Sequence, residues 1–125
     1  MTTLAMRLGI LLAGVTAAVH IFVGTYDTLL PLLATDLALV IKGTFHACWH
    51  FVSIFLAMSV WHFAKATPSA KMLAWLWVCF GLVFVAVGAF AEGVGGLIAL
   101  PQWILLLPAG GLVLWGQKQT GRRDA

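Results

Sequence analysis

Residues 37 to 64 read LALVIKGTFHACWHFVSIFLAMSVWHFA, and this run decides the fold. Its one formally charged side chain is Lys42, close to its beginning. An α-helix rises about 1.5 Å per residue, so about 20 apolar residues cross the hydrocarbon core of a bilayer. The run exceeds that length. It predicts a transmembrane helix that tilts or protrudes.

Three more apolar runs lie around it: residues 4–24 before it, then residues 68–91 and 97–115. The expected fold class is therefore all-α, an integral membrane four-helix bundle, with residues 1–125 as one transmembrane domain. Composition points the same way. Hydrophobic residues make up 62% of the chain and charged residues 9%, against about 25% charged in soluble domains. So few polar groups do not cover a water-facing surface, and the natural partner is the lipid bilayer. The formal net charge is +3. Its bases flank the apolar runs instead of forming a stripe, which argues against nucleic acid.

The N-terminus resembles a signal peptide, with Arg7 ahead of an apolar stretch from Leu8 and with Ala17-Ala18 as a cleavage-like site. The apolar stretch continues through Val23, long enough to span. It is read as a retained first helix that also directs insertion.

Turn chemistry sets the expected boundaries. Thr67 reads as the N-cap of the third helix and Pro68 as its first residue. Gly93-Val94-Gly95-Gly96 reads as the turn before the fourth. Residues 25 to 36 form an apolar first loop around Pro31, expected at the membrane surface, with Thr35 or Asp36 capping the second helix. Pro108 removes a hydrogen bond to Ile104 and predicts a kink in the fourth helix. Cys48 and Cys79 form no CxxC pair and are expected to be buried small hydrophobes.

With four spans, Arg7, Lys65, Lys71, Lys118, Arg122 and Arg123 fall on one side. Asp27, Asp36, Glu92 and Lys42 fall on the other. The positive-inside rule then places both termini of a multi-pass protein in the cytoplasm. Trp61, Trp75, Trp103 and Trp115 lie near span ends, where indole rings favour the headgroup region. The basic tail is expected to touch anionic headgroups.

Polar side chains inside spans are costly, so their positions carry information. His20 lies about 20 Å along the first helix from Arg7. His46 and His50 follow Lys42 at successive four-residue steps, and Glu92 ends the third helix on the same side. Three stripes are expected to face the bundle interior: Thr16-His20-Gly24-Asp27, Lys42-His46-His50-Ser53 and Gly81-Val85-Gly88-Glu92. Two histidines four residues apart grip one metal ion from one helix face. His20, His46, His50 and Glu92 are therefore the candidate metal ligands, with Asp27 an alternative to Glu92. Imidazole suits zinc, copper, nickel or iron. The sequence between the pair, Ala47-Cys48-Trp49, lacks the glutamate of a HExxH protease. A haem b is a second candidate cofactor, with axial ligands from His20 and either His46 or His50. Hydrogen bonding between helices is the purely structural role for the same histidines. His62, between Trp61 and Lys65, reads as an interfacial residue.

His20-Ile21-Phe22-Val23-Gly24, the loop Pro31-Leu32-Leu33, and Lys42 followed by Trp49-His50 resemble a group of small, uncharacterised bacterial inner-membrane proteins with four spans. The resemblance covers about the first half of the chain. It implies a fold and a bacterial inner membrane and brings no activity.

No nucleophile with a base and no phosphate-binding glycine loop is visible, so the chain does not read as an enzyme. Three functions stay open: a small protein that binds a transition metal or haem, a structural or assembly subunit of a larger membrane complex, and a small proton-coupled transporter. A transport path through so few helices favours a homodimer.

Overall fold

The computed structural model describes residues 3–121, and these residues form helices and turns only. Helix α1 spans Leu4–Ala18. Thr3 caps it, its hydroxyl accepting the Met6 N–H at 3.2 Å. The chain then runs through two π-helical stretches, Val19–Val23 and Thr25–Leu29, into the short helix α2, Leu30–Leu33. The expected surface loop is thus helical as far as Leu33, and Leu4–Leu33 is one apolar rod. Two features of this segment favour that outcome. Its leucines continue the apolar run, and Pro31 enters at the first turn of α2, where a missing N–H costs least.

Helix α3 spans Leu39–Ala64 with no side-chain cap. Neither Thr35 nor Asp36 opens it. The Thr35 hydroxyl donates back to the Leu32 carbonyl at 2.7 Å and so closes the preceding helix. Lys42 assists that closure, its Nζ donating to the carbonyls of Leu33 at 3.3 Å and Thr35 at 3.1 Å. A cation at the carbonyl end of a helix complements its dipole.

Helices α4 (Ala70–Glu92), α5 (Val94–Ala99) and α6 (Trp103–Gly121) complete the chain. Thr67 does not cap α4. Its amide donates to the His62 carbonyl at 3.2 Å while the Ala66 amide donates to Phe63 at 3.1 Å. That pair of bonds is a Schellman closure of α3. The Thr67 hydroxyl sits 2.7 Å from His62 Nδ1 and locks the same turn.

Leu4–Leu33, Leu39–Ala64 and Ala70–Glu92 are each long and apolar enough to cross a membrane. The expected fourth run is divided. Gly93, at φ 59°, separates α4 from α5, and Pro101 interrupts the chain between α5 and α6. Trp103 bridges the break, its Nε1–H donating to the Leu97 carbonyl at 3.1 Å. The far end of α6 carries Gln117, Lys118 and Gln119, which shortens its apolar part. Arg122 and Arg123 lie outside the described residues.

Helix α6 packs between α1 and α4, and glycines set the spacing. A Cβ on Gly116 would stand 2.7 Å from the Met6 backbone nitrogen, and one on Gly9 would stand 2.9 Å from that of Val113. One on Gly81 would stand 2.7 Å from Leu107, and one on Gly110 would stand 2.7 Å from the Ala74 carbonyl. Both pairings are antiparallel. Small residues on such faces let backbones approach closely. The core includes Met6, Ala13, Phe63, Ala74, Trp77 and Val113, with the Phe63 and Trp77 rings edge to face. Helix α3 joins it through its second half, where Leu56, Ser59 and Phe63 are buried. Its first half is largely exposed. Cys48 and Cys79 are free and exposed, contrary to the expected burial, because both lie on the outward faces of α3 and α4.

Candidate functional site

The candidate residues lie where α3 diverges from the core. The three expected inward stripes fare differently. On α4 the stripe faces inward only in part: Gly81 packs on Leu107 and Gly88 on Gly96, but Glu92, expected inside, is exposed at the helix end, where no helix among the described residues covers it.

On the first rod the stripe is broken. Thr16 is buried, and its hydroxyl donates to the Leu12 carbonyl at 2.8 Å. His20 and Gly24 are half-buried, but Asp27 is exposed and accepts the Thr28 hydroxyl at 2.7 Å. The π turns are the cause. An i to i+5 turn takes in one more residue than an α turn, so the side chains beyond Val19 rotate out of the α register.

His20 faces α3 and meets Trp49. Their rings stack with centres 4.2 Å apart, and His20 Nε2 is 3.4 Å from the Trp49 carbonyl. The edge of the indole covers Gly24, where a Cβ would stand 3.0 Å from two ring carbons. Gly24 stood on the expected stripe of the first helix, whereas Trp49 was not among the expected site residues. Its signal was faint: a tryptophan in the middle of a span, away from the interface that indoles usually favour.

On α3 the expected stripe faces the wrong way. Lys42 and Ser53 are half-buried, whereas His46 and His50 are exposed. The inward face of α3 belongs to Trp49, Leu56, Ser59 and Phe63. The outward face that carries His46 and His50 also carries Phe45, Ile54 and Trp61. His46 and His50 nevertheless stay together on the outer side. Their ring centres are 4.9 Å apart and their planes 40° apart. By helix rise they lie about 11 Å and 17 Å into α3, the second near its middle.

Comparison with family models, with curated proteins and with solved structures found no match to this chain.

The four expected ligands are therefore not gathered into one cluster. Among the described residues no group of three or more His, Cys, Asp and Glu side chains stands where it would hold a metal ion. What the fold assembles is smaller: a histidine pair on the open half of α3, and a His20–Trp49 contact joining α3 to the first rod. Hydroxyls elsewhere are satisfied within their own helices. Thr25, Thr44, Ser53 and Ser59 each donate to the carbonyl four residues earlier. Such back-bonding is how hydroxyls are accommodated without water.

Proposed function

We propose that this chain is a small multi-span membrane protein that binds a transition-metal ion through His46 and His50. One observation carries the reading, the 4.9 Å between their ring centres. A metal–nitrogen bond of about 2.0–2.1 Å puts each ring centre about 3.2 Å from the ion, and a tetrahedral angle then separates the centres by about 5 Å. The pair therefore stands at chelating separation. Imidazole ligation suits zinc, copper, nickel or iron, and the side chains need no intervening base to bind. A haem is less well supported, because its axial use of His20 requires that ring to leave Trp49.

In this reading α5 and α6 together make the fourth crossing. The antiparallel helices bring Arg7, Lys65, Lys71 and Lys118 to one end, which is the cytoplasmic end by the positive-inside rule. Both termini then lie in the cytoplasm, and the inner membrane is the one the sequence resemblance implies.

A second reading is an assembly subunit of a larger membrane complex. The exposed first half of α3 favours it, because a partner would cover that face. Metal analysis of detergent-purified protein, beside His46→Ala/His50→Ala, separates the two. Stoichiometric metal in the parent and none in the variant supports the histidine site. A metal-free parent after incubation with Zn²⁺ or Ni²⁺ removes it and leaves assembly.

A further inference from the structure

We infer that a second copy of this chain completes the histidine site, so that one zinc-like cation is held by His46 and His50 from each of two α3 helices. The inference rests on the metal reading above and goes beyond it by naming the source of the missing ligands. A histidine pair supplies two ligands, whereas zinc-type sites use three or four from protein. Among the described residues nothing groups a third His, Cys, Asp or Glu with the pair. Among the described residues the remaining ligands are lacking, and a second molecule would supply them.

The surface of α3 around the pair is built for a like helix. Gly43, Ala47, His50, Ile54, Ala57 and Trp61 follow one another at alternating steps of four and three residues, and all six are exposed. That spacing is the seam of a left-handed helix pair. Three of the six are Gly or Ala, which lets two helix backbones come close. No heavy atom of the chain stands within 4 Å of a Cβ built on Gly43, so the surface there is open to a second helix.

Two copies inserted in the same orientation are related by a two-fold axis along the membrane normal. Their α3 helices then run parallel, and each seam residue meets its own counterpart. His50 lies on the seam and His46 one turn earlier beside it. The axis therefore brings four imidazoles around one point. The same contact takes polar rings that lie deep along a membrane-length helix and gives them partners, which lipid does not.

The test is Co²⁺ binding to the full chain in detergent, read by metal per chain, by visible spectrum and by the mass of the protein–detergent complex. The expected result is one Co²⁺ per two chains, strong tetrahedral ligand-field bands and a dimer. Ala47→Leu, a substitution at an exposed position, should abolish both dimer and bands while leaving the helical circular dichroism unchanged. One Co²⁺ per chain, or tetrahedral binding that survives Ala47→Leu, overturns the two-copy site and leaves the histidine pair as a site of its own. No Co²⁺ bound by the parent overturns the metal reading itself.

Discussion

The imidazole of His20 lies flat against the indole of Trp49, 4.2 Å between ring centres and 19° between planes, and its Nε2 donates to the Trp49 backbone carbonyl at 3.4 Å. The same carbonyl accepts the Ser53 hydroxyl at 2.9 Å. One peptide group of α3 thus receives side-chain donors from two helices. This joint anchors the first half of α3, which has few other inward contacts.

Gly24 makes the joint possible, and it gives the first prediction. A Cβ there meets the far edge of the Trp49 ring at 3.0 Å. Gly24→Leu is expected to displace the indole and break the stack, at about 1–3 kcal/mol for an overpacked contact. Gly24→Ala should cost less, because the ring can yield by a few tenths of an ångström. Unfolding by SDS titration in mixed micelles measures both. Equal stability of Gly24→Leu and the parent would show that the joint contributes nothing.

The α3–α4 turn gives the second. Ala66 has φ 48°, a left-handed conformation that costs an L-residue with a Cβ about 1–2 kcal/mol. Its carbonyl-capping role at the end of α3 is one that glycine usually fills. Ala66→Gly should therefore raise stability by about 1 kcal/mol, less the greater chain entropy that glycine brings to the unfolded state. Thermal unfolding of the two proteins in the same detergent decides it. A lower midpoint for Ala66→Gly would mean that the turn is held by other forces.

The membrane character and the long apolar helices were legible because they rest on length and composition, which one chain displays in full. The inward facing of Gly81 and Gly88 on α4 was legible for a related reason, since glycines admit close neighbours wherever they fall, but that of Glu92 was not. The π turns were not. Nothing in Val19-His20-Ile21-Phe22-Val23 separates a π stretch from an α-helix, yet the change of register moves Asp27 away from His20. The facing of α3 was also hidden. His46 and His50 share a side with Lys42 and Ser53 by spacing alone, but both faces of α3 carry large apolar groups, so hydropathy does not tell the inward one, which Trp49, Leu56 and Phe63 take. Polar residues within a span marked where to look without marking which way they point.

Metal binding by the histidine pair carries a third prediction, a dependence on pH with a definite sign. Only neutral imidazole ligates a cation, so protons compete with the metal for His46 and His50. Co²⁺ or Zn²⁺ affinity should fall as pH is lowered, and binding should release protons into a weakly buffered solution. Isothermal titration in two buffers of different ionisation enthalpy reports the number released. Affinity that does not change with pH would exclude the imidazoles as ligands.

The corner between α4 and α5 supplies the last prediction, with its own control next to it. Gly88 and Gly96 meet backbone to backbone, and a Cβ on Gly88 would stand 2.9 Å from the Gly96 carbonyl oxygen. Backbone cannot swing aside as a side chain can, so Gly88→Ala and Gly96→Ala should each lose about 1–3 kcal/mol or more by overpacking. Gly95 lies one residue away with helical dihedrals, and its nearest neighbour is the Glu92 side chain at 3.8 Å. Gly95→Ala fits that space and narrows the unfolded ensemble, so it should gain about 0.4–1 kcal/mol. The contrast between adjacent positions separates close packing from a general intolerance of substitution at this corner. If all three variants lose stability alike, the corner is held by glycine's flexibility, and the contact between Gly88 and Gly96 is incidental.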